Sequence, residues 1–118
     1  MDIGSGTGVV GQALQKAGFD DLHALDVSKN FLEAVRMRGF YREHHNFFLG
    51  RGTNLFPAEL KGIYDVITAS GVWMPGHMPN VAIDDVHAAL KEGGVLATAI
   101  RNTMWEYDVY EGYREKFE

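Results

Sequence analysis

Hydrophobic and polar positions along the chain alternate between short β-rich runs and stretches of helical period, the pattern of a doubly wound α/β sheet. "MDI" reads as the stub of a first strand. After a run of glycines, Val10, Ala13, Leu14 and Ala17 share one helical face, and Gly18 stops the helix. "LHALDV" is a second strand. Ser28 is placed to cap "KNFLEAVRMR", whose Phe31, Ala34 and Val35 face the sheet until Gly39 ends it. "NFFL" is the expected third strand. "YDVITA" is a continuous β-rich run suited to a central parallel strand covered on both faces. Ile83, Val86 and Leu90 mark a helix ending in Gly93-Gly94, after which "VLATAI" is a fifth strand. Last, Thr103 and Glu106 make a T-x-x-E capping box for a helix with Trp105, Val109, Tyr113 and Phe117 at four-residue steps.

These elements predict a Rossmann-like, mostly parallel, three-layer α/β/α core of about five strands in a single domain over residues 1–118. Both ends read as cut, because few residues precede the glycine turn and no stop signal follows the last helix. A partner subunit, such as a second copy of the chain, is therefore expected to cover either the sheet edge beside "VLATAI" or an exposed aromatic face on the last helix. For the same reason catalysis by the chain is expected to be weak or absent.

Composition narrows the chemistry by exclusion. The formal net charge of −5 disfavours a nucleic-acid backbone as the main partner. The absence of cysteine removes disulfides, thiolate metal sites and a thiol nucleophile, leaving a cytoplasmic protein as the default. No apolar stretch is long enough to span a bilayer, so a membrane is not expected as a partner.

The opening "MDIGSGTGVVGQAL" fits two cofactor fingerprints. From Asp2, an acid precedes Gly4, Gly6 and Gly8; from Gly6, the run is G-x-G-x-x-G through Gly11, the dinucleotide pattern. Both put a helix N-terminus against the ligand. An acid at Asp2 suits the ammonium of S-adenosylmethionine and is out of place in a dinucleotide site. Asp26, at the end of the second strand about twenty residues on, suits a ribose in either case.

"MDIGSGTG", "ALDVS", "YDVITASGVW" and "ALKEGGVLATAI", in this order, resemble the class I S-adenosylmethionine-dependent methyltransferases along essentially the whole chain. The runs "GTGVVGQALQKAGF", "ALDVS" and "RNT" resemble within it the Williams–Beuren syndrome chromosomal region methyltransferase-like group. The resemblance implies S-adenosylmethionine as cofactor and a small-molecule methyl acceptor. It puts Asp2, Gly4, Ser5, Gly6 and Gly8 around the methionine portion, Asp26 on the ribose and Val27 against the adenine. The turn after the third strand departs from the family pattern, with Leu49, Gly50 and Arg51 where an acid or amide is usual; backbone groups of Gly50 and Arg51 or the side chain of Asn54 would have to supply that contact. Ser70, Gly71 and Val72 would face the cofactor and the reacting methyl. The Asn-or-Asp-Pro-Pro motif of N-methylating relatives is absent, since "SGVWMP" stands there. Two competing readings stay open: an NAD(P)-dependent oxidoreductase, and a cofactor-binding or protein-interaction core without turnover.

The remaining chemistry-bearing residues have blander readings. His44-His45 is expected in a solvated loop, its neighbours pointing apart with no acid or further histidine at ligand spacing, so no metal is expected. His77 follows the fourth strand and is the one candidate base, though a surface loop is the simpler reading. His87 is taken as structural, and Asp84 and Asp85 as complements to a helix dipole. Ser70 is not in a G-x-S-x-G elbow. Trp73 is the candidate substrate wall, and Trp105 is assigned to the core, with Tyr107 and Tyr110 as further aromatic candidates.

Overall fold

The computed structural model describes residues 1–52, 54–74, 76–106 and 112–118. Its elements are β1 (Asp2–Ile3), α1 (Val9–Lys16), β2 (His23–Asp26), α2 (Lys29–Arg38), β3 (Glu43–Asn46), a 3-10 turn (Ala58–Leu60), β4 (Tyr64–Ser70), α3 (Ala82–Ala89), β5 (Leu90–Ala99), α4 (Asn102–Glu106) and α5 (Tyr113–Phe117). The chain divides into two compact units, Met1–Phe48 and Leu49–Glu118. β1 pairs with β2, β2 with β3, and β4 with β5, all in parallel. Strands of this kind joined through helices are the α/β class that the alternation predicts.

In the first unit, Asp2 pairs with Ala24 and Ile3 with Leu25. β3 is "EHHN", not "NFFL": Asp26 pairs with Asn46, and the ladder stops there. Asn46 donates its amide to the carbonyls of Asp26 (3.0 Å) and Val27 (2.9 Å), closing the end of the pair. The core is Leu22, Ala24, Leu32, Val35 and Tyr41, with Leu14 and Phe40 packed against it. α2 begins as expected, with the Ser28 hydroxyl accepting from the N–H of Phe31 at 3.2 Å, and ends at a left-handed Gly39. Its buried face is Leu32 and Val35, however, and Phe31 is 47% exposed. Leu32 and Val35 each contribute about 1.5–3 kcal/mol of apolar burial. α1 differs in the same way: Val10 and Leu14 are half-buried, Ala13 and Ala17 are exposed, and only Gly11 is buried.

In the second unit, β4 is covered on one side only. Ile67 and Ala69 are fully buried, whereas Val66 and Ser70 are exposed. α3 ends at Ala89, ahead of the expected glycine stop, and the chain passes directly into β5. Gly93 and Gly94 lie inside that strand, where the register shifts from Tyr64↔Leu90 to Val66↔Val95. They belong to a bulge, which absorbs the extra residues of one strand. The carboxyl-terminal segment is not the single capped helix expected. Thr103 lies within α4 and is not its cap, Val109, Tyr107 and Tyr110 lie outside the described residues, and α5 turns Tyr113 fully inward. The Tyr113 hydroxyl donates to the carbonyl of Met78 at 2.6 Å. The exposed aromatic face expected there is thus not found in the described residues. No described helix is long and apolar enough to cross a membrane.

Candidate functional site

The site is built where β1 hands over to α1. Gly4, Gly6 and Gly8 all have positive φ (66°, 52° and 88°), a backbone region that side chains rarely adopt. This sequence of left-handed residues folds the chain back on β2: the N–H groups of Gly4 and Ser5 donate to the carbonyl of Leu25 at 2.8 and 3.3 Å. A Cβ on Gly8 would stand 3.3 Å from Val35 and Phe40, while one on Gly6 would meet only the Gly4 carbonyl, at 3.8 Å. The turn is therefore packed underneath at Gly8 and open at Gly6.

Asp26 ties the turn to the end of β2. One carboxylate oxygen accepts from the N–H of Gly6 at 2.9 Å and the other from the N–H of Ser28 at 2.9 Å. An ionised carboxylate offers about four acceptor positions, so two remain for ligand hydroxyls. Val27, next in the chain, is 59% exposed, an apolar side chain standing in solvent beside that carboxylate. α1 starts at Gly8, which has no side chain to cap it. Its first N–H groups and positive dipole end are left for an anion. Among the described residues, the buried Ser5 hydroxyl has no hydrogen-bond partner.

Asp2 sits deeper than the sequence suggests. It is 2% exposed, and the hydroxyl of Tyr41 donates to it at 2.6 Å. Burial, and after it the bond to Asp2, pushes the Tyr41 pKa upward, so the phenol stays a donor. Tyr41 lies across α1 where a Cβ on Gly11 would approach its ring within 2.3 Å. Gly11 is thus a packing glycine, and close helix packing is the role of the third glycine in a dinucleotide turn as well. The glycines alone do not separate the two fingerprints. Tyr41 carried no signal in the sequence, because only the fold brings it to Asp2 across 39 positions.

In the second unit, Gly50 has φ 87°, and its N–H donates to Asp85 at 2.8 Å. That N–H is consequently taken and is not the adenine donor proposed for it. Arg51 and Asn54 are exposed on the same loop. Asp85 is 1% exposed and anchors this loop, more than complementing a dipole, while Asp84 pairs with Lys116 at 2.8 Å. His87 is exposed, not structural. Ser70 and Gly71 are exposed at the carboxyl end of β4, and His77 is exposed in the following loop.

Trp73 does not take the role expected of it. Trp73 is 2% exposed, donates from its indole nitrogen to Thr98 Oγ1 at 2.7 Å and stacks edge-on with Phe117 at 5.0 Å. It is a core residue and no substrate wall; Trp105 is half-buried.

His44 and His45 lie in β3, not in a loop. His44 packs edge-on against Tyr41, with ring centroids 6.1 Å apart, and burial lowers its pKa. His45 is on the opposite face. The expectation of no partner at ligand spacing fails there: parallel pairing brings Glu43, His45 and His23 together. The E-x-H spacing on an alternating strand was the available signal, but it became legible only with the register of β2.

The chain is similar to known proteins. The model of a methyltransferase-domain family matches residues 1–96. Methyltransferase-like protein 27 of Homo sapiens is 31% identical over 101 residues, covering 86% of this chain and 40% of the relative. The chain thus spans about two-fifths of the length of that curated relative. A crystal structure from Methanococcus maripaludis, of a protein assigned to the S-adenosyl-L-methionine-dependent methyltransferases, superposes with a TM-score of 0.60 at 23% identity, over 83% of this chain and 45% of that one. At that identity the likeness shows the fold.

Proposed function

The chain belongs to the methyltransferase-domain family, which uses S-adenosylmethionine, and from that membership we propose that its glycine turn binds the cofactor for transfer of a methyl group to a small molecule. The observation that carries this reading is the Asp26 carboxylate, clamped on Gly6 beside the uncapped start of α1 and the exposed Val27. These groups fit the three parts of the ligand. Helix N–H groups suit a carboxylate, spare acceptors on Asp26 suit ribose hydroxyls, and Val27 offers an apolar surface to adenine. Gly4, Ser5, Gly6 and Gly8 form the cradle. Asp2, under the turn, lends negative charge on the side where an ammonium would lie, and its burial keeps that charge weakly screened.

When bound, the sulfonium supplies an electrophilic methyl that needs only an aligned nucleophile. The chain's task is accordingly to orient and to exclude water. In the second unit, the family pattern gives the exposed Ser70 and Gly71 to the cofactor side, and His77 is the candidate base where the acceptor must lose a proton. We take residues 1–118 as one cofactor-binding domain.

Calorimetric titration with S-adenosylmethionine, S-adenosylhomocysteine and NAD tests the reading. The sulfur nucleosides should bind and NAD should not. Asp26→Ala should abolish binding, but it also releases two backbone N–H groups, so Val27→Asp, on an exposed side chain, is the cleaner variant. It should weaken S-adenosylhomocysteine roughly tenfold without altering the melting temperature. NAD binding in preference to both nucleosides would restore the oxidoreductase reading.

A further inference from the structure

We propose that His23, Glu43 and His45 form a binding site for a divalent cation of borderline softness, with Zn2+ the best match. The three side chains each bring one ligand atom, all within 4.8 Å of one another. Glu43 Oε2 lies 3.3 Å from His23 Nδ1 and 3.1 Å from His45 Nε2. A four-coordinate Zn2+ with bonds of about 2.0–2.1 Å holds neighbouring ligand atoms about 3.4 Å apart. Two of the three edges of the cluster already have that length.

The second argument is the far side of His23. Its Nε2 is 3.3 Å from Asp21 Oδ1. A neutral imidazole with its proton on Nε2 donates to Asp21 and turns the Nδ1 lone pair toward Glu43. This is the carboxylate–histidine–metal arrangement that fixes the tautomer of a ligating ring. A cation bound at Nδ1 leaves the Nε2–H to keep its contact with Asp21.

Placement also suits an ion. Glu43 and His45 are two apart on β3 and share a face, and His23 is paired with Glu43 in register. Ligands on paired strands are held more firmly than ligands on a loop. The side chains of His23, His45 and Glu43 are 13%, 23% and 50% exposed, which leaves an entry path and room for water to complete the coordination. Two imidazoles and one carboxylate are a donor set used by Zn2+ sites with an open position. The ion would tie β2 to β3, whose far ends carry Asp26 and Asn46.

The test uses the tag-free chain after chelation. Calorimetry with Zn2+ should give one equivalent, and the melting temperature should rise. His23→Gln, Glu43→Gln and His45→Gln should each lower the affinity at least tenfold, while His77→Gln and His87→Gln leave it unchanged. Asp21→Asn, whose side chain is 61% exposed and does not ligate, should keep the circular dichroism spectrum and lose about 10–100-fold in affinity. It carries the test if a ligand variant fails to fold. Co2+ should give the intense visible absorption of a four-coordinate site, absent in His45→Gln. Wild-type Zn2+ affinity in the folded His23→Gln/His45→Gln double variant, or no stoichiometric binding by the parent chain, would overturn the site and leave the cluster an ion-pair network.

Discussion

Tyr41 links Asp2, ahead of the glycine turn, to Gly11 on the helix that follows it. Its hydroxyl satisfies the buried Asp2, and its ring occupies the space that Gly11 leaves on α1. Tyr41→Phe should cost about 1–3 kcal/mol at pH 7, because a buried carboxylate loses a donor. The pH dependence has a definite sign. Burial first, and Asp2 second, raise the folded pKa of Tyr41 above the ordinary value of about 10 that the unfolded chain retains. The contribution is complete below pH ~10 and is lost as pH rises above it, since the unfolded state then releases a proton that the folded state keeps. Urea denaturation from pH 7 to 11 should show the parent chain losing stability more steeply than Tyr41→Phe. Gly11→Ala makes the complementary case: its Cβ would stand 2.3 Å from Tyr41, so overpacking should cost about 1–3 kcal/mol in thermal melts. A neutral result would mean that the ring lies elsewhere.

At the scale of elements, the bulge in β5 separates two neighbouring glycines that a sequence reading treats alike. Gly93 has φ 77° with open space around its missing Cβ, so Gly93→Ala pays only the left-handed backbone term, about 1–2 kcal/mol. A Cβ on Gly94 would lie 2.9 Å from the Lys91 carbonyl and 3.1 Å from that of Tyr64. Backbone cannot step aside there, so Gly94→Ala should be clearly the more destabilising of the two in denaturant titration. The same contrast explains what could be read from the chain. Glycine and serine punctuation placed the start and end of α2 correctly, because capping is local chemistry within a few residues. The end of α3 was missed because a glycine pair signals equally a helix stop and a strand bulge, and only the pairing with Tyr64 and Val66 decides. β3 was displaced because the apolar "NFFL" outweighed "EHHN", whereas the register with β2 selects the polar segment. In the candidate site, Gly4, Gly6, Gly8 and Asp26 were legible from spacing along the chain. Tyr41, Asn46, Asp85 and the His23 cluster were not, since each acts through a contact that spans 19 or more positions.

At the scale of the whole molecule, the second unit presents a surface with a consequence for assembly. Val66, Thr68 and Ser70 are in register with Val95, Ala97 and Ala99 and so share one face of the β4–β5 pair. Val66 is 38% and Val95 56% exposed, Ala97 and Ala99 are exposed as well, and β5 is the last strand in the order. Among the described residues β5 pairs only with β4, so its outer edge carries backbone groups without a strand partner. An open edge flanked by small apolar side chains is a template for a further strand, and we propose that two copies of the chain meet there. Light scattering across a concentration series should show a dimer that weakens with dilution. Val95→Lys places a charge on the exposed face beside the edge, the device by which natural edge strands resist pairing, and should shift the chain to monomer with little loss of stability. A compact monomer at every concentration, for the parent chain and Val95→Lys alike, would show that the edge is not a self-association surface.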